Sequence, residues 1–283
     1  MNDHHGKAVG VSALFPSDGV EGRYLQHAFR VRFDRRVEDI SQRGGRVEHG
    51  PSQGERLHVP FAMNIFIERR ETTAAMGLRS ATDLFSEWAD KGRDEGMEKG
   101  HTASVNIMLE RLLEGRETAF TALDIGCGNG WVVRRLSNHP MCTHATGVDG
   151  APSMIAKALD VDPNGDYVEA MLPDWAPSEP VDLIHTMECL YYLAEPLMFL
   201  KTIHDTWMKP GGKIVIGVDH YLENPSSHDW GPSLNVHMAL LSIEQWCEGL
   251  RDAGFVEVET DQVGAKEGWS GTLVLTARRP SSA

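Results

Sequence analysis

The residues best suited to chemistry by type and spacing lie in one short stretch, Leu123-Asp124-Ile125-Gly126-Cys127-Gly128-Asn129-Gly130. An apolar run leads into an aspartate, which is followed two residues later by glycines in a GxGxG spacing. Glycines let a ligand approach bare backbone, and the free N–H groups at the start of a following helix attract polar ligand atoms. The stretch therefore predicts a ligand-binding loop between a strand and a helix.

The glycine spacing differs from that of a dinucleotide-binding fingerprint, which would need glycine at 126, 128 and 131. Position 131 is Trp, whose bulk opposes the close packing of helix on strand that the third glycine allows. A carboxylate at Asp124 would repel a pyrophosphate and favours a ligand with a cationic amino group. Cys127 is interpreted as a small loop residue, because no base lies near it in sequence to activate a nucleophile.

A second acid, Asp149, ends the next predicted strand in Gly147-Val148-Asp149-Gly150. A carboxylate at this place can accept hydrogen bonds from both hydroxyls of a ribose. Taken singly, Asp124 could cap a turn and Asp149 could cap a helix at 152–159. Taken together with the loop, they predict a nucleoside ligand with a positively charged, amino acid-like tail and no phosphate. S-adenosylmethionine fits that description.

The elements that would position these residues alternate between strand and helix from about residue 118. The predicted strands are Phe120–Ile125, Thr143–Asp149, Tyr167–Ala170, Val181–Met187, Lys213–Val218, Val256–Asp261 and Gly271–Ala277, and the predicted helices are 130–138, 152–159, 196–208 and 242–253. Ser242 and Gln245 match a capping box, and Gly254 ends the last helix. The pattern predicts an α/β fold with a doubly wound, mostly parallel seven-stranded sheet, an antiparallel terminal hairpin and helices on both faces.

Over roughly residues 118–278 the chain resembles the class I S-adenosylmethionine-dependent methyltransferase family. The first motif of that family is matched by Asp124, Gly126, Gly128 and Gly130. The resemblance implies that this loop, with Cys127, holds the methionine part and the sulfonium region. It also implies that Asp149, next to Gly150, holds the ribose, and that Met154 packs on the adenine.

Two further segments extend the resemblance to the rest of the cofactor. The family often has an Asp-Ala pair after strand three, where this chain has Glu169 and Ala170, so these two residues are the expected contacts of the adenine amino group. Thr186 lies in the segment whose backbone runs under the methionine moiety in the family. An N-terminal helix often covers the cofactor there, and Trp88 is the expected covering residue.

The resemblance implies an enzyme that transfers a methyl group to a small-molecule acceptor. Glu188 and Tyr191 follow strand four and His220 follows strand five, so these three, with His101 from the front of the chain, are the candidate catalytic residues. The histidines are candidates for a general base, which is needed only if the acceptor is protonated at the working pH. Each has a structural alternative: the tyrosine could pack the sheet edge, the glutamate could pair with a helix, and the histidines could be solvated.

Residues 80–114 read as helices that the glycines at 92, 96 and 100 interrupt, and they are expected to form a lid over the site. The long connection 223–241 would be the other half of that lid. The domain prediction is an N-terminal extension at 1–75, partly ordered and of no assigned function, followed by a methyltransferase domain at 76–283. That domain would comprise the helical lid, 80–114, and a cofactor-binding core, 118–278. In the extension, residues 29–33 alternate like a strand among several arginines.

Composition and spacing argue against other classes. The four cysteines form no CxxC pair and no histidine pair has metal-site spacing, so no metal is expected, and a reducing, cytoplasm-like compartment is predicted. The apolar runs fall short of the ~20 residues that span a bilayer, so no membrane partner is expected. The net charge is −14, residues 71–283 carry 16 basic against 32 acidic residues, and an Asn/Asp-Pro-Pro-aromatic motif is missing after strand four. Nucleic acid is therefore not expected as a partner.

Three alternative functions remain at this point. One is a non-catalytic, methyltransferase-like binding module that docks through the extension, and another is a methyltransferase acting on a protein acceptor. A nicotinamide-dependent oxidoreductase is opposed by both Trp131 and Asp124.

Overall fold

The predicted strands form one seven-stranded sheet in the computed structural model, which describes residues 77–281. The strands are β1 (Phe120–Ile125), β2 (Cys142–Asp149), β3 (Asp166–Glu169), β4 (Val181–Met187), β5 (Met208–Val218), β6 (Val256–Val263) and β7 (Thr272–Arg278). Their order across the sheet is β3-β2-β1-β4-β5-β7-β6. The first five strands pair in parallel, whereas β7 is antiparallel to both β5 and β6. The predicted fold class is confirmed, while the extension at 1–75 with its strand pattern lies outside the described residues.

The helices follow the predicted order along the chain. They are α1 (Ala81–Asp90), α2 (Asp94–Leu113), α3 (Trp131–Ser137), α4 (Pro152–Val161), α5 (Pro196–Thr202, extended by a π-helical turn to Trp207), α6 (Trp230–Leu234) and α7 (Ile243–Ala253). The capping box at the start of α7 is confirmed: Ser242 Oγ accepts from the Gln245 N–H, and Gln245 Oε1 accepts from the Ser242 N–H. Gly254 ends this helix with a φ of 104°.

The prediction that three glycines interrupt the front helices is wrong for two of them. Gly92 separates α1 from α2 with a φ of 70°, but Gly96 and Gly100 lie inside α2. A Cβ at either position would meet no heavy atom of the described residues within 4 Å, so both glycines lie on an open face. The ~1 kcal/mol that each costs a helix is offset because the opposite face of α2 buries a stripe of apolar side chains, namely Val105, Met108, Leu109 and Leu112.

The sheet order reverses between β1 and β4, which are neighbours although β2 and β3 lie between them in sequence. Chain connections leave the sheet in opposite directions at such a point, so a crevice opens at the carboxyl ends of these two strands. The glycine loop follows β1 and Glu188 follows β4, so both lie at this crevice.

No helix among residues 77–281 combines the length and apolar character that crossing a bilayer requires. All four cysteines lie in this part of the chain and carry free thiols. The predicted compartment stays a prediction.

Candidate active site

The glycine loop turns sharply back over the end of β2. The N–H groups of Gly126 and Cys127 both donate to the Val148 carbonyl, at 2.8 and 3.1 Å. Gly126 has a φ of 73°, and a Cβ there would lie 2.5 Å from the Cβ of Cys189 in the segment after β4. The loop is therefore held between two neighbouring strand ends, and this contact leaves no room for a side chain at position 126.

The other two glycines of the motif differ in their surroundings. Gly128 has a φ of 53° and faces the crevice, since the nearest described atom to a Cβ at this position would be Met154 Sδ, as far away as 3.9 Å. Gly130 begins α3 with a φ of 77°, and a Cβ there would lie 2.4 Å from the ring of Tyr167. Gly130 thus allows the helix to pack on β3, whereas Gly126 and Gly128 border the crevice.

Asp149 ties the glycine loop to the start of α4. Its Oδ2 accepts from the Gly128 N–H at 2.9 Å, and its Oδ1 accepts from the Ala151 N–H at 2.8 Å. Burial raises the pKa of Asp149, and these backbone donors act against that shift. Each carboxylate oxygen has more than one lone pair, so both can accept a further hydrogen bond from a ligand.

Asp124 is paired with a histidine that no sequence motif indicates. Asp124 and His185 are directly opposite each other on the parallel strands β1 and β4, and His185 Nδ1 donates to Asp124 Oδ1 at 2.7 Å. The carboxylate is only 2% exposed. His185 Nε2 is buried without a hydrogen-bond partner among the described residues. The pairing of strands explains the contact, which the spacing of the two residues in the chain does not reveal.

The two acids line one cavity of about 330 Å³ at the carboxyl ends of the strands. Eight predicted cofactor residues line it: Trp88, Asp124, Gly126, Cys127, Gly128, Asp149, Gly150 and Met154. Burial raises the pKa of Cys127 well above its usual range, which agrees with a packed thiol rather than a nucleophile.

Four predicted cofactor residues do not line this cavity: Gly130, Glu169, Ala170 and Thr186. Glu169 is exposed at the end of β3, and the next residues to reach the cavity are Met171 and Leu172. Thr186 follows His185 in β4, and successive side chains of a strand point to opposite faces. Since His185 faces the cavity, Thr186 is buried on the other side of the sheet.

The two predicted halves of the lid meet over the cavity. Trp88 of α1 and His101 of α2 line one side, and Trp230 and His237 from the connection 223–241 line the other. Leu84, Trp88 and Val236 share a buried cluster that joins α1 to this connection. The connection is not a plain loop, because it contains the short helix α6.

A buried network that the sequence did not reveal holds the lid to the glycine loop. Asp94, at the start of α2, is 4% exposed and lines the cavity. Its carboxylate accepts from Asn129 Nδ2 at 3.1 Å and from Lys157 Nζ of α4. These three residues come from separate elements, so their spacing in the chain contains no signal.

Three of the four catalytic candidates, His101, Glu188 and Tyr191, line the cavity near the ends of β4 and β5. Glu188 has a φ of 53°; its Oε2 accepts from the Tyr191 hydroxyl at 2.6 Å, and its Oε1 accepts from the Asp219 N–H. Burial, and then the charge of Asp219, raises the pKa of Glu188 well above its usual range. Burial also raises the pKa of Tyr191, so its hydroxyl stays protonated and donates. His101 Nε2 lies 3.6 Å from Asp219 Oδ2.

His220 is the one catalytic candidate that does not line the cavity, although its ring centroid lies 5.5 Å from that of Tyr191. It is buried, its Nδ1 donates to the Ser227 carbonyl at 3.0 Å, and its ring is stacked at 6.4 Å from that of Trp230. Burial lowers the pKa of His220, so this ring is neutral near pH 7. The structure therefore places it behind the cavity wall, in contact with a lining residue.

This fold and this cavity are those of a methyltransferase domain, and the family model with that description matches residues 80–260. The chain belongs to this family, the class I S-adenosylmethionine-dependent methyltransferases.

Individual relatives are similar over different shares of the chain. A malonyl-[acyl-carrier protein] O-methyltransferase of Paenibacillus sp. (strain JDR-2) is 29% identical over 206 residues, which cover 67% of this chain and 72% of that enzyme. A trans-aconitate 2-methyltransferase of Agrobacterium fabrum is 26% identical over 136 residues, 48% of this chain and 50% of its own length. A solved structure of a complex between the Haloferax volcanii Trm112 methyltransferase activator and a methyltransferase contains a chain that is 28% identical. The match has a TM-score of 0.61 and covers 72% of this chain and 99% of that chain.

The different roles of the glycines can be separated by mutation. Gly130→Ala should lower the free energy of unfolding by about 2–4 kcal/mol, because it combines a positive φ with a collision against Tyr167. Gly128→Ala is the matched control with a positive φ and free space, and should cost about 1 kcal/mol. Urea denaturation of both variants measures the difference. Equal losses would show that the contact with Tyr167 imposes no constraint.

Proposed function

We propose that this protein transfers the methyl group of S-adenosylmethionine to a small-molecule acceptor bound between the lid and the sheet. The observation that supports the proposal most directly is that Asp124 and Asp149 line one cavity on either side of the glycine loop. Membership of the methyltransferase family supports the same cofactor.

The cavity offers a suitable partner for each part of the cofactor. Asp149 would accept from the ribose hydroxyls with the lone pairs that its two backbone donors leave over. Met154, which is 1% exposed, would pack on the adenine, with Gly128 leaving room beside it. The buried Asp124, oriented by His185, would place negative charge near the cationic amino acid tail.

We propose the remaining cofactor contacts from the residues that line the cavity beside Asp149 and Met154. Trp88 of α1 would cover the cofactor from the lid side. Met171 and Leu172 line the cavity at the place predicted for Glu169 and Ala170, so we propose an apolar rather than a carboxylate contact near the adenine.

The cofactor supplies an activated methyl group, and the chain has to hold the acceptor in line with it and keep water away. The lid provides apolar walls for this purpose. Phe85 contacts Trp88 and Tyr192 edge to face, with ring centroids 5.5 and 5.3 Å apart. Near the ends of β4 and β5, which we call the acceptor end of the cavity, His101 and Glu188 would face the acceptor. Tyr191 would orient Glu188 through its hydrogen bond, and His220 would support Trp230 by stacking.

The helices and the connection that lie over the cavity favour a small acceptor over a protein. Helix α1, which contributes Phe85 and Trp88 to the cavity, packs on α4 and also contacts the connection 223–241. These aromatic side chains are therefore covered by two other segments of the chain. The acceptors in the names of the two relatives, a malonyl group and trans-aconitate, both carry carboxylates. Within residues 77–281, Arg79 is the only permanently cationic side chain lining this cavity, and it is paired with Glu87 at 2.8 Å. The side chains of residues 77–281 therefore offer little positive charge to an anionic acceptor.

Calorimetry tests the cofactor assignment. The protein should bind S-adenosylhomocysteine and not NADH, because Asp124 opposes a pyrophosphate. Binding of NADH would contradict the assignment, and binding of neither ligand would support a non-catalytic module instead.

Removal of the ribose acid should weaken cofactor binding. We expect Asp149→Ala to weaken the binding of S-adenosylhomocysteine by about 1–3 kcal/mol. The reason is that charge-assisted hydrogen bonds to the ribose and to the loop are lost together. Asp160→Ala, which removes an exposed acid from the following helix α4, is the control and should bind as the wild type does. Titrations at a temperature where all three proteins are folded make the comparison. An unchanged affinity of the Asp149 variant would rule out the ribose contact.

The acceptor class can be tested with a labelled methyl donor and pooled metabolites. Label should appear in a small molecule, and the pools should include trans-aconitate and malonyl thioesters because of the named relatives. Transfer of label only to amino acid side chains of proteins in a cell extract would contradict a small-molecule acceptor.

A further inference from the structure

Three side chains from separate parts of the chain converge at the acceptor end of the cavity. We call His101, Glu188 and Asp219 the acceptor-end cluster. Each offers one ligand atom, an imidazole nitrogen or a carboxylate oxygen, and these atoms all lie within 4.8 Å of one another. Atoms bound to one cation at about 2.1 Å lie about 3–4.2 Å apart, so the cluster needs only small side-chain shifts to surround an ion.

Two atoms of the cluster are buried without a hydrogen-bond partner among the described residues. They are His101 Nε2 and Asp219 Oδ1. Asp219 is 2% exposed and His101 is 8% exposed, so bulk water does not satisfy them. Buried polar groups are nearly always paired, and an unpaired one in a native site has a specific cause, of which a bound ion is one.

The charge of the cluster points the same way. The cluster brings two carboxylates together, those of the half-buried Glu188 and the buried Asp219. The groups that face Glu188 are the Tyr191 hydroxyl and the Asp219 N–H, neither of which carries a positive charge. The basic side chain of the cluster is His101, at 3.6 Å from Asp219. A cation between the three residues would neutralise this excess of negative charge.

We propose that the acceptor-end cluster is a binding site for a divalent cation. Two carboxylates and one imidazole form a ligand set that suits ions such as Mn²⁺. Three protein ligands leave coordination positions open, and because His101 and Glu188 line the cavity, those positions face the acceptor end. The prediction of no metal rests on histidine spacing, which cannot detect ligands that come from α2 and from the ends of β4 and β5.

One consequence rests on the proposed function. An ion at this place would supply positive charge that the described residues of the cavity wall lack, and would favour an acceptor that presents an oxygen atom to it. Cation binding itself is measured without cofactor or acceptor, so its outcome is independent of whether methyl transfer is found.

Titration of the metal-stripped full chain with Mn²⁺, followed by electron paramagnetic resonance, tests the site. Wild type should bind one Mn²⁺ per chain. Asp219→Asn and His101→Gln should each weaken binding at least tenfold, because each removes a ligand while preserving size. Glu98→Gln is the matched control: it removes a charge from the same cavity outside the cluster and should change binding less than twofold.

Less than one bound Mn²⁺ per chain at about 1 mM free ion would overturn the proposal. A proton shared by the two carboxylates would then be what reduces their negative charge. Unchanged binding in the folded cluster variants, or equal weakening in the Glu98 control, would also overturn it. If Asp219→Asn does not fold, His101→Gln decides the result. Anomalous diffraction from Mn²⁺-soaked crystals should then place a peak among the three side chains.

Discussion

The hydrogen bonds that Asp149 accepts from the Gly128 and Ala151 N–H groups hold together the part of the site that we propose for the cofactor. They bind the loop after β1 to the loop after β2, so the two acids face one cavity instead of separate surfaces. This partly buried carboxylate is stable there because backbone donors replace water that it loses. The same oxygens remain available to a ligand, so the interaction that shapes the loop also prepares the ribose site that we propose.

Much of the fold and of this half of the site could be predicted because the signals are local. Apolar runs, glycine spacing and an acid at each strand end all lie within a few residues of one another, and the physics of strand-to-helix turns acts over that range. The capping residues of α7 belong to the same kind of signal. The prediction from local signals is wrong where burial compensates for low helix propensity. Gly96 and Gly100 remain in α2 because the other face of this helix is packed on the sheet.

The rest of the site depends on contacts between distant segments. His185 reaches Asp124 only because β1 and β4 are neighbours in the sheet, and Asp94 reaches Asn129 only because α2 folds over the loop. The acceptor-end cluster draws its three residues from separate segments, and their convergence follows from the packing of α2 on β4 and β5. His220 is the opposite case: it follows β5 in sequence and is therefore a catalytic candidate, but in the structure it lies behind Trp230. A single sequence contains no record of these distances.

The two strand-end acids, on our interpretation, are brought together to hold a sulfonium nucleoside. A crystal structure of the protein with bound S-adenosylhomocysteine measures this most directly. We predict both ribose hydroxyls within hydrogen-bond distance of the Asp149 carboxylate, with the adenine against Met154 and the amino acid tail on the Asp124 side. A nucleoside bound outside this cavity, or a ribose that does not contact Asp149, would contradict the interpretation.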